Sequence, residues 1–279
     1  MKTRIITAIV AVALFIPVLY FSDTVVFELV MGLFGLVATL EVTRCIGVQK
    51  HPSLVIPALL YSIALPAITL LCDGQAGYPV LLFATLIYLF ILLFVGVFRA
   101  LDLHVDGYGV LFALSVYAAL PFTALIYLRR ADHGLYLCLL VFIISWMTDT
   151  FAYFTGYFFG KHKLAPIVSP KKTIEGSVGG TLLAVAACIG YGYLISVLDD
   201  AVTPNYLALA LTGLILSIVS QLGDLAASAV KRNYGIKDYG NLFPGHGGIL
   251  DRFDSVIAVS TFMWILQQVP DLFRVFTYA

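Results

Sequence analysis

Residues 228–254 read SAVKRNYGIKDYGNLFPGHGGILDRFD, and apolar runs flank them on both sides. The stretch holds Ser228, Lys231 and Arg232, then Lys237 and Asp238, then Pro244-Gly245-His246-Gly247-Gly248, then Asp251, Arg252 and Asp254. Ionisable groups are rare in membrane-embedded sequence, and function is the first hypothesis where they occur. Cations, glycines and carboxylates crowded between two apolar segments suit phosphate groups and a divalent metal.

The rest of the chain supplies the apolar frame. About a quarter of the residues of a soluble domain are charged. Here 11% are charged and 61% hydrophobic, with a mean hydropathy of +0.99. The chain therefore reads as an all-α, polytopic transmembrane helical bundle. Sixteen basic and sixteen acidic residues cancel, so nothing in the charge points to nucleic acid. Cys45, Cys72, Cys138 and Cys188 lie in or beside apolar segments without metal-binding spacing, and read as packing thiols.

A helix needs about 20 apolar residues to cross the hydrocarbon core. Nine such runs are expected, at 4–21, 25–44, 54–72, 79–97, 109–127, 134–158, 177–197, 206–229 and 250–267. The first follows Lys2 and Arg4 but has no small-residue cleavage site after it, and reads as a retained anchor. With these spans, thirteen Lys and Arg fall on one side and three (Arg129, Arg130 and Arg274) on the other. The positive-inside rule then puts the N-terminus and loops 159–176 and 230–249 in the cytoplasm and the C-terminus outside. A multi-pass protein of a bacterial-type inner membrane is expected, with its active site on the cytoplasmic side.

No internal repeat or linker divides the chain, so 1–279 reads as a single membrane domain. Residues 1–133 form mainly hydrophobic spans, and 134–279 form a catalytic half. In the first part, Glu28 and Glu41 are the acidic groups inside spans. Glu41 stands one turn from Arg44, which suggests a local ion pair.

Asp251 and Asp254, three residues apart, leave one face of a helix at its N-terminal turn. Two carboxylates that close repel each other unless a cation lies between them. A hard metal such as Mg²⁺ takes oxygen ligands of this kind, although acids also simply favour a helix N-terminus. Asp224, near the end of the eighth run, reads as a third ligand. A plain pair with Lys231 is the alternative. Gly247 and Gly248 lack Cβ atoms just before a helix start, where backbone N–H groups can meet phosphate. Lys231, Arg232, Lys237 and Arg252 add positive charge, some of which could instead serve lipid head groups. A second cluster lies upstream. Asp149 sits inside an apolar run and needs a partner, Lys161 follows it, and Ser169-Pro170-Lys171-Lys172-Thr173 has the composition of a phosphate-gripping loop.

Together these residues resemble a known family. The run 228–254 is similar to the signature of the integral-membrane phosphatidate cytidylyltransferases, also called CDP-diacylglycerol synthases. Ser228, Lys231, Arg232, Lys237, Asp238, Gly240, Pro244, His246, Gly247, Gly248, Asp251, Arg252 and Asp254 all stand at the spacing of that signature. Residues 149–161 and 169–176 also look like that family, whereas the first half matches only as hydrophobic spans. The resemblance implies one reaction: phosphatidate and CTP give CDP-diacylglycerol and pyrophosphate, with Mg²⁺ required. It implies Asp224, Asp251 and Asp254 as metal ligands, with Asp224, Asp251, Lys231 and Arg252 at the chemistry. Substrate contacts would come from Asp149, Lys161, Lys171, Lys172, Ser228, Arg232, Lys237, His246, Gly247 and Gly248. Membrane lipids surround such a protein, and a homodimer is compatible with the family.

Two other classes share some of these features. A transporter of phosphorylated solutes also carries polar groups in its spans, but usually shows related halves and broken helices at the midplane. A CTP-using lipid kinase would share the metal and phosphate groups but transfer the γ-phosphoryl group. The asymmetry of the chain disfavours the first and the signature disfavours the second.

Overall fold

The protein is described from a computed structural model, which describes residues 13, 15–72, 76–98, 105–245 and 247–279. It divides into two compact units. The first contains α1 (Val25–Cys45), α2 (Pro52–Leu71), α3 (Gly77–Phe98) and α4 (Val105–Arg130). It also takes in the later segment Asn233–Phe253. That segment is most of the signature loop, which the sequence groups with the second half. The second unit contains α5 (Gly134–Phe159), a hairpin of β1 (Lys163–Ala165) and β2 (Ser169–Thr173), α6 (Ile174–Leu198), β3 (Val202–Pro204) and α7 (Tyr206–Asn233). Helix α8 (Leu250–Leu266) starts in the first unit and belongs to the second from Asp254 onward. The chain ends with α9 (Pro270–Phe273) and β4 (Phe276–Tyr278), which pairs antiparallel with β3.

Seven helices among the described residues, α1 to α7, are long and apolar enough to cross a membrane. They correspond to the second to eighth expected runs. Most of the first run, 4–21, lies outside the described residues, and residues 15–20 are helical. The ninth run is α8, which has 17 residues and carries Asp251, Arg252 and Asp254 in its first turns.

Local chemistry sets the helix ends. Thr24 caps α1 by accepting the N–H of Val26 at 3.3 Å. Asn205 caps α7 through the N–H of Ala208 at 3.1 Å. Pro52 opens α2, where a missing N–H costs nothing. Along α3 the apolar residues Leu82, Phe83, Ile87, Phe90 and Phe94 are all exposed, as expected of a helix whose surroundings are lipid.

Within the first unit, α1 packs against α4 and α2. Thr39 and Ser62, both fully buried, share a hydrogen bond of 2.6 Å between α1 and α2. Arg130 pairs with Glu28 and also donates to the carbonyl of Thr69. The expected intramembrane acid Glu28 therefore has its cation at the far end of α4.

In the second unit α5 and α6 form the closest pair, and small residues make this possible. Gly176 and Gly180 stand four apart on α6. A Cβ on Gly180 would lie 2.8 Å from the Ala152 Cβ and 2.9 Å from the Thr148 carbonyl. Small residues at that spacing let two membrane helices approach backbone to backbone. Gly180→Val should therefore lower the thermal unfolding temperature in detergent, with a cost of about 1–3 kcal/mol for overpacking. Gly190→Ala, where the added carbon meets nothing within 4 Å, should leave it unchanged. Equal melting of both variants would contradict this packing account.

Candidate active site

In the second unit, four elements bring their charged groups together. Asp224 on α7 pairs with Lys172 on β2, with Nζ 2.5 Å from Oδ2, both about three-quarters buried. Ser228, one turn further along α7, points its hydroxyl at the other Asp224 oxygen at 3.4 Å. Asp149 on α5 accepts a hydrogen bond from the Ser255 hydroxyl on α8 at 3.1 Å. Asp254 accepts the N–H of Ser255 at 2.9 Å. Asp149 and Asp254 both feel the charge of Asp224, Lys172 attracts Asp149, and the buried Lys231 attracts Asp254. Three carboxylates and two ammonium groups thus form one electrostatic cluster. The three carboxylates gather oxygen ligands of the kind that suits a hard divalent cation. Among the described residues, no group of three His, Cys, Asp or Glu already forms a metal-binding set. A magnesium ion does not need one, since it commonly takes one or two carboxylates and completes its shell with phosphate and water.

The hairpin that delivers Lys172 is anchored at its base by Glu175. That carboxylate accepts the N–H of Lys161 at 3.0 Å and of His162 at 3.2 Å, and holds the His162 ring at 2.6 Å. Thr173 caps α6 through Gly176 N at 3.1 Å. Because strand residues alternate in direction, the two lysines part: Lys172 turns inward and Lys171 is exposed. Lys161 is exposed as well.

In the first unit, the glycine loop closes on itself. Asp251 is 6% exposed, and its Oδ2 accepts the N–H of Tyr239 at 2.7 Å and of Gly248 at 3.0 Å. Gly247 has φ +83° and lies so close to Asp251 that a Cβ would stand 2.6 Å from Oδ2. The N–H groups of Ile249 and Leu250 are also taken by a carboxylate, that of Glu41 on α1, each at 2.9 Å. Of the glycine pair expected to meet phosphate, Gly248 gives its N–H to Asp251, and the next two N–H groups, of Ile249 and Leu250, go to Glu41. Glu41 gives both oxygens to this loop, and the charge of Arg44, one turn away, also attracts it. Lys237 and Arg252 are exposed in this unit and Arg232 in the other. His246 lies outside the described residues.

Asp224 pairs with Lys172 on a distant strand. Ser255, Glu175 and Glu41 were not singled out for the site. A serine beside Asp254 and an acid opening α6 gave no signal above ordinary polar residues. Glu41 was visible as an intramembrane acid, but its partners lie more than 200 residues along the chain.

The membrane helical fold agrees with the family comparisons. Residues 2–269 match the model of the cytidylyltransferase family, and the chain belongs to that family. Its curated relatives include the phosphatidate cytidylyltransferase of Bacillus subtilis (strain 168), 35% identical over 95% of this chain and 97% of that one. The Staphylococcus epidermidis enzyme of the same name is 35% identical over 95% and 98% of the two chains, and that of Staphylococcus aureus (strain COL) 34% over 95% and 98%.

The anchoring role of Glu175 gives a direct expectation. In Glu175→Gln, the amides of Lys161 and His162 should exchange with deuterium faster than in wild type, since a neutral amide is a weaker acceptor than a carboxylate. Unchanged exchange at both amides would remove Glu175 as the hairpin anchor.

Proposed function

We propose that this protein transfers the cytidylyl group of CTP to phosphatidate, giving CDP-diacylglycerol and pyrophosphate for phospholipid synthesis. The observation that carries this reading is membership of the cytidylyltransferase family over nearly the whole chain, alongside full-length relatives named for that reaction. A phosphate oxygen of phosphatidate bonds to the α-phosphorus of CTP, and the bond to the β-phosphate breaks. Both reactants are anions, so the site must offset their repulsion and the charge of the leaving pyrophosphate. Lys172, about three-quarters buried, and Lys231, buried, are the cations suited to this. Arg232, Lys237, Arg252, Lys161 and Lys171 are exposed and serve as outer phosphate contacts. No side-chain nucleophile is needed.

Mg²⁺ fits the oxygen-rich cluster, with Asp224 and Asp254 as its protein ligands and Asp149 beside them. When bound, it neutralises phosphate charge in the transfer. The family signature supports Asp251 as a third ligand of the metal. Nine spans with a cytoplasmic N-terminus and an outer C-terminus put this chemistry on the cytoplasmic side of a bacterial inner membrane. CTP is available there, and the lipid enters sideways from the bilayer.

Purified protein given phosphatidate, CTP and Mg²⁺ should form CDP-diacylglycerol and pyrophosphate. CDP with a newly phosphorylated lipid would instead identify a kinase. In the same assay in neutral detergent, Lys172→Gln should lower kcat/KM for CTP by about tenfold or more, the scale of a lost charge-assisted hydrogen bond. Lys171→Gln should stay within about twofold of wild type, because an exposed cation acts mainly through screened solvent. The opposite ranking would contradict the inward assignment of Lys172. Independently, a reporter fused after Ala279 should read the outer side and reporters within 159–176 and 230–249 the cytoplasm, following the Lys and Arg asymmetry. A cytoplasmic C-terminus would refute the nine-span arrangement.

A further inference from the structure

Glu41 lies on α1, is 2% exposed, and belongs to no part of the signature. Its two oxygens accept the N–H groups of Ile249 and Leu250, one each, at 2.9 Å. These are among the donors that the start of a helix leaves without intrahelical partners, and a negative charge there is favoured by the helix dipole. The neighbouring backbone is shaped to admit the carboxylate. A Cβ on Gly240 would stand 2.5 Å from Oε1, and one on Gly248 would fall on the carboxylate itself. Asp251 then grips the same loop from the other direction through Tyr239 and Gly248. Phe253 completes the seat, its ring 5.3 Å from that of Phe34 on α1 and 5.6 Å from that of Phe122 on α4.

We infer that Glu41 is a positioning residue for the transfer reaction. Its carboxylate acts as a remote N-terminal cap that fixes the signature loop and the first turn of α8, the helix that continues into Asp254 and Ser255. The two glycines Gly240 and Gly248 are required so that this carboxylate can approach, rather than so that phosphate can. A carboxylate is needed because both oxygens must accept. The amide of glutamine would put an N–H group against one of the two backbone donors. The inference rests on the proposed cytidylyl transfer, because its kinetic readout is that reaction.

The test uses the full chain in neutral detergent and compares wild type with Glu41→Gln, Gly248→Ala and Arg44→Gln. Deuterium exchange at Ile249 and Leu250, thermal unfolding, and kcat and KM for CTP are measured on the folded fraction. In Glu41→Gln, exchange at the two amides should rise and kcat should fall by about tenfold to a hundredfold, the scale of a slightly misplaced reacting group. KM for CTP should stay within about threefold. Gly248→Ala, which crowds the carboxylate without removing it, should show the same split and carries the test if Glu41→Gln does not accumulate. Arg44→Gln should retain wild-type kcat. Unchanged kcat in folded Glu41→Gln, unchanged amide exchange, or an equal loss in Arg44→Gln would each overturn the inference. An inactive wild type would strike the proposed reaction instead. An active wild type with an equally active Glu41→Gln would strike the cap alone.

Discussion

A carboxylate set in an apolar helix has little water to solvate it and must find charge or hydrogen bonds within the protein. Four acids in this chain meet that demand, and each does so by reaching another element. Glu28 takes Arg130 from the end of α4. Glu41 takes two backbone donors at the start of α8. Asp224 takes Lys172 from the hairpin, and Asp149 takes the Ser255 hydroxyl from α8. Apolar side chains facing lipid gain little from one another, so these polar links carry much of the specificity of assembly. In the second unit they also assemble the candidate site.

The same demand explains why the glycines cluster where they do. Gly176 and Gly180 let α5 and α6 close to backbone contact. That contact fixes the base of the hairpin between them, and so the reach of Lys172. Gly247 and Gly248 are packed against Asp251 and Glu41. A glycine pair before a helix reads equally well as a phosphate cradle or as room for a carboxylate. Only the position of the acids separates the two.

Much of the candidate site was legible because its residues are ionic in a chain that is otherwise apolar. Asp149, Lys172, Asp224, Lys231 and Asp254 stand out against their surroundings without any structure. What they pair with was less legible. The alternative pairing considered for Asp224 lay two turns away on its own helix, and the expected Glu41 pair lay one turn away. Both acids chose partners far along the chain. Sequence spacing lists local partners first, whereas tertiary packing offers distant ones at equal distance in space.

By itself, the sequence determined the solvent of this protein, the helical class, the positions of seven spans and the identity of the ionic residues. Hydropathy and charge are properties of each residue and survive without coordinates. Tertiary structure decided the division into two units, the turning of Lys172 inward and Lys171 outward, and the commitment of the loop amides to Asp251 and Glu41. Those outcomes depend on strand alternation and on helix contacts between residues far apart in the chain, and no local pattern records which distant donor a buried acid will meet.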